Sequence, residues 1–293
     1  MSAPATEKPA VASDGARLLD SRQMASFVAR GFLRFDEIVP APLRTEALAE
    51  IAAGTRPSSY QAKRGEPAAR WPGRPLDEIW PDSVGLAAIL RSPAIAGIVR
   101  SLVGPGAIYD HHYAHTIAAG QRWSQPWHAD AIVDPRSAAF DIQLFFFFED
   151  TPRPMGGTMI LPGSHLRRVN ESDIARYHNF VGQLPTVCKA GTLLVCHHGI
   201  WHCGQPNTSA TPRTMLKLRL NPAVPQRRLW DTHDLEDPAV VAAVRGILAS
   251  PEPWHGNEAR LEVVGRIKLW RHLTGDARFD VDYWLTRLEN QAG

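Results

Sequence analysis

Several features that would assign a protein class at once are missing from this chain of 293 residues. It has only three cysteines, Cys188, Cys196 and Cys203, and such an odd, sparse set does not form a disulfide framework. This cysteine usage is typical of a reducing compartment. No internal repeat is visible, which argues against solenoid and propeller arrays.

A charge excess of one sign and long apolar runs are also missing. The formal net charge is +2, and the scattered charges indicate neither a nucleic-acid partner nor an anionic membrane surface. The aromatic run Phe145–Phe148 is far shorter than the ~20 apolar residues of a membrane span. The first residues lack the apolar stretch of a signal peptide. We therefore expect a cytoplasmic protein that binds neither nucleic acid nor a membrane.

The composition is that of a globular protein, with 44% hydrophobic and 21% charged residues. Residues 1–16 are rich in Ala, Pro and Ser, which predicts a disordered lead. From about 107 to 222, short apolar or alternating segments are separated by turn residues, a pattern typical of a β-sandwich or β-barrel. Helical patterns continue through 223–293. We predict a mainly β fold with flanking helices, as one domain over 17–293.

Three local signals refine this organisation. The first helix is predicted to begin at an N-cap, Ser21, and to end at Gly31. A later helix is predicted over Pro238–Leu248. Residues 55–83 are dense in Pro, Gly and Arg, and a loop of this length is either a lid over a binding site or a surface excursion.

A histidine and an aspartate two positions apart, His128 and Asp130, are the first candidate metal ligands. Side chains at i and i+2 of a β-strand point to the same side, so both can reach one ion. His202 follows a predicted apolar strand and would complete a set of two histidines and one carboxylate. Such a set occupies one face of an octahedral iron(II) ion and leaves three positions open. His197 and His198 compete with His202 for this role.

An arginine that follows His202 is a candidate co-substrate ligand. Arg213 lies eleven residues after His202, at the start of the next predicted strand. It shares strand parity with Lys217 and Arg219, opposite three leucines. If the leucines pack on helices, Arg213 faces the barrel interior, where a guanidinium can bind a carboxylate through two parallel hydrogen bonds. The distal carboxylate of 2-oxoglutarate needs such a partner; the alternative is a surface arginine.

Taken in order, these motifs resemble the phytanoyl-CoA dioxygenase family over about residues 20–222. The segments that carry the resemblance are Trp127-His128-Ala129-Asp130, the turn Gly156–His165 with its Pro-Gly-Ser-His ending, and the run from His202 through Asn207 to Arg213. The resemblance implies a double-stranded β-helix (jelly-roll) core. It also implies iron(II) at the three ligands, with 2-oxoglutarate and O2 as co-substrates. As in some members, Thr158 and Gln125 would touch 2-oxoglutarate.

Several positions depart from the family pattern. They are Ala129, Phe145, Met155 and Gly204, where the family often has Gln, Trp, Asn and Ser. Each departure removes a polar or aromatic contact from the wall of the expected site. The resemblance therefore implies oxidation of an unactivated C–H bond in a small organic molecule, such as a natural product, without indicating an acyl-CoA.

Other functions also fit parts of the sequence. Two histidines and a carboxylate suit a zinc hydrolase, although such an enzyme has no need of Arg213. A structural zinc site at the cysteines is disfavoured because seven and six residues separate them, more than the spacing of such sites. A jelly roll can also be a non-catalytic binding module. The C-terminal helices offer a surface for a protein partner or for a homodimer.

Overall fold

The computed structural model of the chain describes residues 15–54, 72–130, 138–167, 171–250 and 256–287. The strands are β1 (Phe32–Phe35), β2 (Ile108–Ile117), β3 (Ile142–Phe147), β4 (Thr158–Leu161), β5 (Leu184–Pro185), β6 (Thr192–His197), β7 (Trp201–Gly204) and β8 (Arg213–Asn221). The helices are α1 (Ser21–Arg30), α2 (Ala41–Ala52), α3 (Leu86–Arg91), α4 (Pro93–Val103), α5 (Glu171–Ile174), α6 (Pro238–Ala249), α7 (Gly256–Thr274) and α8 (Tyr283–Thr286).

The strands form two antiparallel sheets. The larger sheet has the order β1-β6-β3-β8-β2, and the smaller one has the order β5-β4-β7. Neighbours in these sheets are far apart along the chain, which is the crossed connectivity of a jelly roll. The prediction of a mainly β, jelly-roll fold with flanking helices is confirmed.

The two faces of the larger sheet differ as the alternation of β8 predicts. Leu216, Leu218 and Leu220 lie in the main hydrophobic core together with residues of α1, α4, α6 and α7. Met215 faces the other way, into a smaller cluster with Ile160 of β4, so this cluster lies between the two sheets. Residues of odd number on β8 therefore point to the interior of the jelly roll.

The first helix ends where the sequence predicts but begins one residue earlier. Its N-cap is Asp20, whose carboxylate accepts from the backbone N–H of Gln23 while the Gln23 side chain accepts from Asp20. Ser21 is the first helical residue, and its hydroxyl donates to Asp234 at 2.5 Å. The predicted N-cap at Ser21 is wrong because a reciprocal capping box outcompetes a single hydroxyl. Gly31 ends the helix with φ of 77°.

The described part of the predicted loop, residues 72–83, is fastened to the sheet. Gly73 N donates to Tyr109 O at 2.8 Å, and Tyr109 N donates to Arg74 O at 2.8 Å. Trp80 is buried in the main core. Residues 72–83 are therefore packed against the sheet and the core. Residues 55–71 of the predicted loop lie outside the described residues. Within the described ranges, no helix has the length and apolar character needed to cross a membrane.

Candidate metal and co-substrate site

Two of the predicted ligands are neighbours across a backbone pairing. His128 and His202 form an antiparallel bridge in which each backbone N–H donates to the other carbonyl, at 3.1 and 2.9 Å. His202 lies on β7 opposite Ile160, which faces the interior, so the imidazole faces the interior too. His128 pairs as a single bridge residue, where an extended strand was expected, because the chain bends at Asp130.

The bend brings the third predicted ligand to the same place. Asp130 Oδ1 lies 3.9 Å from His128 Nε2, and Asp130 Oδ2 lies 3.5 Å from His202 Nε2. One donor atom from each of the three residues lies within 4.8 Å of the other two. Among the described residues, this is the one group of three or more His, Cys, Asp or Glu side chains close enough to share an ion.

Hydrogen bonds set the tautomer of both imidazoles. His128 Nδ1 is 2.9 Å from Pro126 O, and His202 Nδ1 is 3.1 Å from Ile200 O. A carbonyl oxygen only accepts, so each Nδ1 carries a hydrogen and Nε2 is the ring nitrogen that can face an ion. This arrangement is typical of metal-binding histidines. Two such nitrogens with one carboxylate fit a borderline divalent ion such as iron(II).

The protonation states suit metal binding. Burial lowers the pKa of His202 to about 3, which keeps the imidazole neutral and its Nε2 lone pair free. Burial acts to raise the pKa of the Asp130 carboxyl, but the charge and hydrogen bond of Lys217 outweigh it. The net effect holds that pKa below its usual range. Asp130 is therefore an anion at neutral pH, as a ligand must be.

Arg213 lies in the same cavity as the two histidines. It is 3% exposed, and among the described residues its buried Nε has no hydrogen-bond partner. Burial lowers the pKa of the guanidinium, since a charge without a counterion is costly in the interior. The alternative that Arg213 is a surface arginine is therefore wrong. A carboxylate such as the distal end of 2-oxoglutarate would satisfy it.

A turn built by one asparagine sets the distance from His202 to Arg213. Asn207 is fully buried, and its Nδ2 donates to Thr211 O at 2.7 Å and to Ile117 O at 3.3 Å. Its Oδ1 accepts from the Ser209 hydroxyl at 2.7 Å. These bonds fold the connection between β7 and β8, so the spacing noted in the sequence reflects a defined turn.

Thr158 and Gln125 also line this cavity, whose volume is about 40 Å³. Thr158 is buried on β4, opposite Gly204 of β7. Gln125 lies against the edge of β7, and its Oε1 accepts from Gly204 N at 3.0 Å. A Cβ at position 204 would lie 2.9 Å from Gln125 Oε1, so the glycine found there in place of the family's serine accommodates Gln125.

The Pro-Gly-Ser-His segment supports the strand that carries His202. Ser164 donates its hydroxyl hydrogen to Leu161 O at 2.7 Å and accepts from Trp201 N at 2.8 Å, which fastens the first residue of β7. His165 Nε2 lies 3.1 Å from Val28 O, so this segment is also tied to α1. The motif therefore acts through packing and hydrogen bonding.

The competing histidines lie elsewhere. His197 packs against the rings of Phe27, Phe140 and His165, and its Nδ1 accepts from Gly199 N at 3.0 Å. His198 Nδ1 accepts from Asp141 N at 2.9 Å. The three cysteines are buried and free. Within the described ranges, none of these residues joins a group able to share an ion.

Two residues of this cavity were not predicted from the sequence. Lys217 donates from Nζ to Asp130 Oδ2, and His115 of β2 packs its ring on Tyr113 with centroids 4.3 Å apart. Burial, followed by the charge of Lys217, lowers the pKa of His115 to about 4, so this imidazole is neutral. The strand parity of Lys217 with Arg213 is the signal that points to its inward orientation. His115 carries no such signal, because its pairing with β8 is not readable from sequence.

Comparisons with known proteins show similar sequences and similar folds. An uncharacterized protein of Mycobacterium tuberculosis is 28% identical over 106 residues, which cover 33% of this chain and only 37% of that protein. The carbocyclase SnoK, described as non-heme and alpha-ketoglutarate dependent and from nogalamycin biosynthesis, has a similar fold. Its TM-score is 0.53 at 17% identity, over 74% of this chain and 90% of SnoK.

EctD from S. alaskensis, solved with 2-oxoglutarate and 5-hydroxyectoine, has a similar fold as well. It gives a TM-score of 0.51 at 19% identity, over 70% of this chain and 76% of EctD. The profile of the phytanoyl-CoA dioxygenase family matches residues 28–215, which is more than half of the chain. This span contains all six predicted site residues. The chain therefore belongs to the phytanoyl-CoA dioxygenase family.

Proposed function

We propose that this protein oxidises an unactivated C–H bond of a small organic molecule, with iron(II) held by His128, Asp130 and His202. One observation carries the proposal. Three metal-binding atoms converge at a cavity that also contains Arg213, a buried cation whose Nε is unpartnered among the described residues. A zinc hydrolase would use the first feature but not the second. A non-catalytic binding module would need neither.

Each residue has a distinct task in this proposal. The imidazoles of His128 and His202 present Nε2 to the ion, and Asp130 supplies the negative charge. Arg213 binds the distal carboxylate of 2-oxoglutarate, with Thr158 and the amide group of Gln125 as further contacts. The bound iron supplies the activation of O2. Phe145, whose ring lies 5.4 Å from that of His202, provides an apolar wall beside the reacting atoms.

Hydroxylation is the simplest outcome of this proposal. Substrate R–H, 2-oxoglutarate and O2 give R–OH, succinate and CO2. One oxygen atom of O2 enters the product and the other enters succinate, while the C1 carbon of 2-oxoglutarate leaves as CO2. Ring formation is an alternative outcome for the same site: the substrate would lose two hydrogen atoms, the oxygen atom not used for succinate would leave with them as water, and succinate and CO2 would form as before.

The test needs no substrate. Iron(II) and then 2-oxoglutarate are added without oxygen to metal-free protein, and the visible spectrum is recorded. We expect a metal-to-ligand charge-transfer band that saturates with 2-oxoglutarate. The band should be lost in Asp130→Ala and kept in Asp150→Ala, because Asp150 is an exposed aspartate that pairs with Lys189 and accepts from Ala190 N.

The zinc alternative predicts a different result in the same experiment. It requires that wild-type protein give no band with iron(II) and 2-oxoglutarate while binding zinc tightly at the same residues. That combination would reject the oxygenase proposal and move the assignment to a hydrolase or a binding module.

A further inference from the structure

Lys217 is a buried cation on the inner face of a central strand. It is 8% exposed and lies four residues after Arg213 on β8. In the register it stands between Tyr113 of β2 and Phe145 of β3, so its backbone is held on both sides. An ammonium group loses its hydration on burial and needs a partner of opposite charge.

That partner is Asp130. Lys217 Nζ donates to Asp130 Oδ2, and among the described residues Asp130 is the one carboxylate that pairs with Lys217. Oδ2 therefore has a charged donor that is anchored in the sheet. In the proposed site this contact would hold Oδ2 and leave Oδ1, 3.9 Å from His128 Nε2, as the oxygen that binds the ion.

The number of oxygen atoms that Asp130 presents affects the rest of the site. A carboxylate can bind a metal ion through one oxygen or through both. Two histidines and a single carboxylate oxygen leave three positions of an octahedral ion open. A second oxygen from Asp130 would occupy one of them and compete with a co-substrate that binds through two atoms. Hydrogen bonds to a ligating carboxylate control its orientation.

We propose that Lys217 is a positioning residue that restricts Asp130 to one metal–oxygen bond and so keeps the remaining positions open for 2-oxoglutarate. This inference rests on the proposed function. It concerns a side chain outside the ligand motif, on a different strand, and it assigns a task to a buried charge that the ligand set alone does not explain.

The test compares two lysine-to-methionine variants. Lys217→Met removes the ammonium and keeps a side chain of similar length. Lys189→Met is the matched control, because Lys189 also pairs with an aspartate, Asp150, at 3.0 Å, but its side chain is 71% exposed. Lys217→Arg retains a positive donor and should restore the wild-type result at least in part. Circular dichroism shows whether each variant folds, and Lys217→Gln replaces Lys217→Met if the latter does not.

Two affinities are measured without oxygen in each variant. Iron(II) binding is measured alone, and 2-oxoglutarate binding to the iron-loaded protein is followed by the charge-transfer band. In Lys217→Met we expect iron(II) to bind as tightly as in wild type or more tightly, since a repelling charge is gone. We expect 2-oxoglutarate to bind at least about tenfold more weakly, which corresponds to about 1.4 kcal/mol. Lys189→Met should change neither affinity.

Other outcomes reject the inference. If iron(II) and 2-oxoglutarate affinities fall together in a folded Lys217 variant, Lys217 merely supports the structure of the site. If neither changes, Lys217 does not orient Asp130. A wild-type protein that gives no band at all would contradict the proposed function itself, which keeps the two failures distinct.

Discussion

Replacing Arg213 with methionine should have opposite effects on binding and on stability. Arg213 is 3% exposed, and its Nε has no partner among the described residues. A hydrogen bond to a charged group contributes about 1.5–3 kcal/mol. Loss of a two-bond contact should therefore cost at least about 3 kcal/mol, or roughly 150-fold in the Kd of 2-oxoglutarate. Iron(II) affinity should change little, because Arg213 is not a ligand in the proposed site.

In the metal-free protein, by contrast, Arg213→Met should increase the free energy of unfolding. A buried guanidinium that has no counterion among the described residues destabilises the folded state, and methionine fills a similar space without a charge. We expect Arg213→Met to raise the free energy of unfolding by about 1 kcal/mol or more, a gain typical of removing a strained functional group. Arg34→Met, at an exposed arginine paired with Asp36, should change it by less than about 0.5 kcal/mol.

The assay is urea unfolding of both variants without metal, followed by anaerobic titration of the iron-loaded proteins with 2-oxoglutarate. Arg213→Lys is a further control, since it keeps the charge but cannot form two parallel hydrogen bonds. Unchanged 2-oxoglutarate affinity in Arg213→Met would refute the assigned role. A loss of more than about 1 kcal/mol of stability would show that the guanidinium is satisfied within the protein.

Two further predictions concern stability. Burial lowers the pKa of His165 to about 3 and that of His197 well below its ordinary value. As the pH falls from about 6.5 toward 3, the unfolded chain binds protons that the folded chain does not. Stability should therefore fall by about 1.4 kcal/mol per pH unit for each imidazole; equal urea midpoints at pH 7 and pH 5 would contradict this. Gly31→Ala should lose at least about 2 kcal/mol, because φ is 77° and the added Cβ would lie 2.4 Å from His165 Nδ1. Gly54 also has a positive φ, 67°, but a Cβ there would meet open space, so Gly54→Ala should lose only about 1 kcal/mol of stability. Urea titrations measure both losses. Equal losses in the two variants would exclude the His165 contact as the cause.

The strands and their faces were predictable because alternation is a local property of the sequence. The pattern of β8 predicts that its leucines pack on helices and that Arg213 points inward, as the structure has them. The fold class followed from the same patterns together with the resemblance. The order of the strands in the two sheets was not predictable, since it depends on pairings between distant segments.

The site was predictable only in part for the same reason. His128 and Asp130 stand two positions apart, but the structure brings them together through a bend and a single bridge rather than a regular strand. Lys217 has a readable orientation, yet its partner lies 87 positions away. A contact of that kind depends on tertiary packing, which no local pattern contains. The N-cap error at Ser21 has a smaller cause, the competition between adjacent cap residues.

The backbone pairing of His128 with His202 has a consequence for how such a protein can diversify. Main-chain hydrogen bonds between His128 and His202 hold the two imidazoles close together, although 73 residues separate them in the sequence. Insertions or substitutions in much of that intervening chain would leave the distance between the two rings unchanged. The connecting segments can therefore vary in length and composition while the spacing of the two candidate metal ligands is kept.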